Sequence, residues 1–127
     1  MILVDTSVWV DHLRGTDSML VDLLNAGVVL AHPFIIGELA LGGLRSPAPV
    51  LELLQELPPA AVATDSEVLH FIGRHSLSGR GVGYVDVHLL AAARLTEGAS
   101  LWTRDKRLQG IAEQLGLAAP VGRSDQA

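Results

Sequence analysis

Cysteine is absent from the 127 residues, so the chain holds neither a disulfide framework nor a thiolate metal site. That absence fits a reducing cytoplasm, the location expected for this protein. No apolar run is long enough to cross a bilayer: the longest, over 26–44, is interrupted by His32, Pro33 and Glu38. The first residues already read as a core strand, so no signal peptide is expected ahead of them. Internal repeats, linkers and low-complexity segments are also missing. One domain over residues 1–120 is expected, followed by a polar, frayed tail over 121–127. The glycine-containing loop at 79–83 is not a phosphate-cradling loop, since no Gly-Lys-Ser/Thr follows it.

Apolar residues make up 49 % of the chain. A domain of this size buries only about two thirds of the surface its unfolded chain exposes, so part of that apolar content is expected to face a partner or a second copy. The net charge of −5 argues at first against a nucleic-acid partner. Setting aside four carboxylates for a metal site leaves the remainder close to neutral. Eight of the nine basic residues are Arg, the better phosphate ligand, and Arg104, Lys106 and Arg107 lie together.

Ile2, Leu3 and Val4 form the run expected of a strand buried on both faces of a parallel sheet. Asp5 ends it, and Thr6 and Ser7 are good caps for a helix from Val8 to Leu13. Asp17 or Ser18 starts a second helix that stops before Gly27; 28–31 is a second buried strand. Pro33 suits the first position of a third helix, which runs to Leu41. Further helices are expected over 48–57, 65–75, 85–96 and 105–115, with Thr103 capping the last. A short strand is expected over 60–63 and another over 100–102. Strands alternating with helices imply right-handed crossovers and an α/β fold, with helices on both faces of a mostly parallel sheet.

Four acids occupy unusual places in this plan. Asp5 stands at the carboxyl end of a first, central strand, where open α/β sheets place their chemistry. Glu38 is the one charge in a helix that is otherwise apolar all round, Phe34-Ile35-Ile36-Gly37-Glu38-Leu39-Ala40-Leu41. Such a helix is expected to be buried, and a lone buried carboxylate needs a counter-charge. Asp86 lies in the first turn of the next most hydrophobic helix, where the macrodipole alone would favour it. Asp105 follows another strand end, with the same simple explanation open to it. Clustered carboxylates repel and are stable only with a cation or with some of them protonated. Mg²⁺ and Mn²⁺ prefer oxygen ligands, lower the pKa of bound water and stabilise a leaving oxygen of a phosphodiester. Thr6, Ser7 and Thr103 supply hydroxyls able to hold the carboxylates in place.

Asp5-Thr6-Ser7, Glu38, Gly83-Tyr84-Val85-Asp86-Val87-His88-Leu89-Leu90-Ala91 and Trp102-Thr103-Arg104-Asp105-Lys106-Arg107-Leu108 together resemble the acidic motifs of PIN-domain nucleases. The resemblance is closest to the VapC toxins of bacterial toxin–antitoxin pairs. It covers essentially the whole chain, with the motifs in family order. It implies a Rossmann-like α/β/α sandwich, endoribonuclease activity dependent on Mg²⁺ or Mn²⁺, homodimers, and inhibition by a VapB-like antitoxin. By the same resemblance Asp5, Glu38, Asp86 and Asp105 match the acidic quartet, and Thr6 and Thr103 match hydroxyl positions beside it.

Other residues carry weaker signals. Asp11 and His12 suit a solvated helix face better than the site. His88 points away from Asp86, and His32, His70 and His75 lack metal-ligand spacing. Trp9 and Trp102 read as core. Arg104, Lys106 and Arg107 are either a solvated helix start or phosphate contacts. Two other functions remain open: a phosphatase or phospho-acceptor using Asp5 as nucleophile, and a non-catalytic binding module on the same fold. Haloacid-dehalogenase-like enzymes want a second Asp two residues after the first, where Ser7 stands.

Overall fold

The computed structural model describes residues 1–121; from residue 122 onward the expected tail lies outside the described residues. Three short strands, β1 (Ile2–Val4), β2 (Val29–Leu30) and β3 (Ser100–Trp102), form a parallel sheet in the order β2-β1-β3. Ile2 pairs with Val29 on one side and Ser100 on the other, and Leu3 with Leu30 and Leu101. Leu3 and Val4 are fully buried, as a run apolar on both faces requires. Among the described residues seven helices connect and flank the strands: α1 (Thr6–Arg14), α2 (Ser18–Asn25), α3 (Pro33–Leu41), α4 (Pro47–Glu56), α5 (Asp65–Arg74), α6 (Tyr84–Leu95) and α7 (Lys106–Gln114). The fold is the expected α/β sandwich around a parallel sheet.

α6 is the central helix, with every residue from Val87 to Ala93 buried. Its side chains join Leu3, Val8, Trp9, Leu101 and Leu108 in one core. Fully burying a Leu or Val side chain contributes about 1.5–3 kcal/mol, so the short strands are held by this packing more than by their few ladder hydrogen bonds.

The structure corrects three local expectations. No strand forms over 60–63. Instead the chain just before it touches the sheet, with the Ala31 N–H donating to Pro58 (2.9 Å) and the Ala60 N–H to the Ala31 carbonyl (2.8 Å). A second single bridge, Leu101 to Ala118, flanks β3 on the other edge. Prolines 58 and 59 lack amide donors, so a full ladder cannot extend through them.

α3 is not buried all round. Only Ile35 and Leu39 are; Glu38 is exposed and Leu41 is 90 % exposed. The helix packs chiefly on α4 and α1, which cover one face and leave the other bare.

The caps are also redistributed. Asp105, not Thr103, caps α7 by accepting from the Leu108 N–H at 2.9 Å. The N-cap of α1 is Asp5, yet its carboxylate makes no capping bond.

Candidate functional site

The sheet reverses direction of growth at β1, with β2 on one side and β3 on the other. The carboxyl edge at such a switch point is an open crevice in α/β sheets, and Asp5 stands there. It is 7 % exposed, so its charge needs donors. Two hydroxyls supply them: Ser7 Oγ at 2.8 Å and Thr103 Oγ1 at 2.7 Å, both donating to Oδ2. Ser7 Oγ in turn accepts from the Arg104 N–H at 3.0 Å, and Thr103 Oγ1 from the Asp105 N–H at 3.1 Å. The ends of β1 and β3 are thereby locked together, with Asp5 and Asp105 on either side of the joint.

Glu38 reaches the same edge from α3. Thr6 Oγ1 donates to its Oε1 at 2.6 Å, and this contact replaces the buried counter-charge expected for that carboxylate. Asp86 enters from the first turn of α6, where its Oδ2 accepts from the Gly83 N–H at 3.1 Å. Partial burial raises the proton affinity of Asp86; the Gly83 amide opposes that, and Asp5, Asp105 and Glu38 each raise it further. Asp86 therefore lies in the electrostatic field of the other three acids.

Among the described residues no three His, Asp or Glu side chains converge into a finished coordination sphere. The four acids are instead held singly, by hydroxyls and backbone amides. Their donor chemistry nevertheless suits a hard divalent cation. Each acid directs its hydrogen bonds to a single oxygen: Oδ2 of Asp5, Oε1 of Glu38, Oδ2 of Asp86 and Oδ1 of Asp105. Four further carboxylate oxygens are left for a ligand.

The basic triplet divides. Arg104 turns away from the acids: its guanidinium pairs with Asp11 at 2.6 Å and with Asp17, and lies 5.6 Å from the Trp102 ring centre. Its pKa is raised, chiefly by the Asp11 bond. With Nη1 on Asp11 and Nη2 on Asp17, Arg104 acts as a clasp between α1, the start of α2 and the end of β3. Arg107 lies against the loop at Gly81, where φ is +82° and an added methyl would stand 2.6 Å from Nη1. Lys106 and Arg107 are exposed.

Asp11 faces Arg104 rather than the acids, and His12 Nδ1 accepts from the Asp17 N–H at 3.1 Å. Trp9 and Trp102 are core, as expected, and His88 is buried away from Asp86.

Two features escape a reading of the sequence. His32 is fully buried and caps α3, its Nδ1 accepting from the Phe34 N–H at 3.1 Å; the available signal is a polar residue directly before Pro33 at a helix start. Tyr84, 47 % exposed, donates to Asp65 at 3.1 Å and packs edge-on against His88 at 4.8 Å.

With this geometry in place, comparison with known proteins is decisive. The PIN domain family matches residues 2–114. The chain is a PIN domain. Two curated relatives, each named Ribonuclease VapC32, come from Mycobacterium tuberculosis strains CDC 1551 / Oshkosh and ATCC 25618 / H37Rv. Each is 50 % identical over 118 residues, covering 93 % of this chain and 95 % of the relative. The acidic edge described above is thus the edge of a PIN domain, formed by a parallel sheet with α3 and α6 beside it. No helix among the described residues is long and apolar enough to cross a membrane.

Proposed function

We propose that this PIN domain is a metal-dependent endoribonuclease and the toxin of a toxin–antitoxin pair. The observation that carries the reading is the electrostatic coupling of Asp86 to Asp5, Asp105 and Glu38, four acids brought together from distant parts of the chain. The relatives named Ribonuclease VapC32 supply the substrate class. Mg²⁺ or Mn²⁺ held by these carboxylates would supply Lewis acidity to the phosphodiester and a more acidic water.

The chain's own residues have separate tasks. Ser7 and Thr103 fix the Asp5 carboxylate, and Thr6 fixes Glu38. Asp86, whose proton affinity is raised by burial and by the three other acids, is relieved by a cation bound among them. Asp105 is held by its own helix, so its second oxygen keeps a constant direction. Lys106 and Arg107 remain available for phosphates.

The reading includes a cytoplasmic location, homodimers and a VapB-like antitoxin. A groove of about 700 Å³ between α1, α3 and α4 suits such a partner. Val10, Leu13, Leu39 and Val50 give it apolar surface, and Glu38, Arg14 and Arg45 line it with charge.

The test is to incubate partner-free protein with total RNA, with and without Mg²⁺, beside an Asp86→Asn control. Internal cleavage that needs the metal and is lost in the variant supports the reading. Cleavage that persists undiminished in excess chelator, or in Asp86→Asn, rules it out.

A further inference from the structure

The groove between α5 and α6 has the opposite electrostatic character to the acidic edge. It encloses about 530 Å³, with Arg74, Arg94, His70 and His75 on its rim and Phe71, Ala91 and Leu95 forming an apolar wall. Glu67 is the one acid in the lining, and its Oε1 is already taken by the Thr64 N–H at 2.8 Å. Among the described residues neither arginine pairs with a carboxylate; the ion pairs involve Arg104 and His88. Arg94 spends one nitrogen on the Leu115 carbonyl at 2.9 Å, which leaves the rest of its fork free.

Arg74 and Arg94 each sit in the last turn of a helix, where the macrodipole favours a cation. That accounts for each charge but not for their meeting around one cavity. The pKa of His75 is lowered by burial first, then by Arg94, Arg74 and His70, so all three press on one ring. In a chain with net charge −5, such a cluster favours an anion.

We propose that this groove is a second binding site, taking a phosphodiester segment of single-stranded RNA outside the acidic edge. The proposal rests on the ribonuclease reading and adds a path for the substrate. Ser66 at the near end of the groove follows Asp65, which Tyr84 contacts, and Tyr84 lies two residues before Asp86. Along α6 the rise from Asp86 to Arg94 is roughly 12 Å, a short distance for an extended strand. Phosphates would meet the guanidinium forks, while bases lie against the apolar wall and the Phe71–His75 ring pair, whose centres are 4.5 Å apart. A second copy of this chain is the other occupant such a face could take, and the experiment separates it from RNA by the oligomeric state.

The experiment titrates a short fluorescein-labelled single-stranded RNA with full-length protein carrying Asp86→Asn, in Mg²⁺, over a range of salt concentrations. Adding Arg74→Gln together with His70→Gln, which leaves the Arg94 hydrogen bond intact, should weaken binding several-fold. It should also flatten the slope of log affinity against log salt by about 0.7 for each phosphate that is no longer neutralised. In the otherwise native chain the same pair should raise KM for long RNA while leaving cleavage of a dinucleotide unchanged. If affinity and salt slope stay the same although the parent cleaves RNA, the groove is not an RNA site and the ribonuclease reading stands. If the pair instead shifts the protein from dimer to monomer with RNA affinity unmoved, the face belongs to a second copy and the proposal is overturned. A parent that cleaves no RNA removes the ribonuclease reading and this site with it.

Discussion

Thr103 and Asp5 lie 98 residues apart in the chain, yet the Thr103 hydroxyl donates to the Asp5 carboxylate at 2.7 Å inside the protein. This bond ties the ends of two neighbouring strands and fixes one oxygen of the acid at the sheet's edge. A hydrogen bond to a charged group is worth about 1.5–3 kcal/mol. Thr103→Val keeps the volume and removes the donor, so it should lower the melting temperature by several degrees and slow cleavage. Thr103→Ser restores the hydroxyl and should recover most of both. Melting curves and cleavage rates for the pair check this; equal behaviour of Val and Ser would show that the hydroxyl does not hold the site.

Asp86 gives a second prediction, with a definite sign. Burial raises its pKa above 3.8, and the three neighbouring acids raise it further. The folded protein therefore holds this proton more tightly than the unfolded chain. The contribution of Asp86 to metal-free stability is fully present below pH 3.8 and is lost as pH rises through the raised value. At neutral pH in chelator, Asp86→Asn should melt higher than the parent, since Asn keeps an acceptor for the Gly83 N–H while losing the charge. Mg²⁺ at about a hundredfold over its dissociation constant should add roughly 2.7 kcal/mol to the parent, and much less to the variant. Identical melting of the two proteins in chelator would falsify the shared field.

What the sequence makes legible follows from what is local in it. The apolar run at 2–4, the helix periodicities and the four acids each announce themselves within a few residues, and all four acids share one field in the structure. The resemblance implies that they form a single site. The differences have one origin, interactions made at long range. Asp5, Thr103 and Asp105 are all good N-cap residues, and nothing nearby says that Thr103 serves a strand 98 residues away while Asp105 caps its helix. Composition likewise says that α3 prefers burial, but not whether the cover comes from this chain; Leu41 at 90 % exposure shows that it does not. Contact of the chain at 58–60 with β2 is hidden because two prolines read as a break. Arg104 has the composition of a phosphate ligand, and only the fold sets Asp11 and Asp17 against it.

His32 predicts an acid transition unrelated to the carboxylates. Burial, and secondarily nearby His88, lowers its pKa from 6.5 to about 4. The neutral ring is also the form that accepts from the Phe34 N–H. The unfolded chain binds the proton more readily than the folded one, so the contribution of His32 to stability is complete above pH 6.5 and is lost as pH falls toward 4. The loss should be on the order of 3 kcal/mol. His32→Asn, a good cap without a titrating ring, should flatten urea midpoints across that window. A parent whose midpoint does not change between pH 6.5 and 4 contradicts the assignment.

The final prediction concerns the partner and uses the bare side of α3. Leu41 is 90 % exposed, Leu13 39 % and Leu53 44 %, and the groove walled by Val10, Leu13, Leu39 and Val50 ends at Glu38. We take this face as the one a partner would cover. An inhibitor bound there would bury that surface with an amphipathic segment and bring its own cation to the acidic edge. Arg is the expected residue, because its fork pairs with a carboxylate through two hydrogen bonds and compensates the repulsion among Asp5, Glu38, Asp86 and Asp105. The inserted charge would compete directly with Mg²⁺, so inhibition should weaken as metal concentration rises. Leu41→Asp should weaken the complex by tenfold or more, and cleavage by the free variant, measured beside it, separates that loss from the effect of a new charge one helical turn from Glu38. Mixing the protein with the product of the adjoining small gene, at low and high Mg²⁺, measures both effects. Inhibition that is indifferent to Mg²⁺ and to Leu41→Asp would place the partner elsewhere on the molecule.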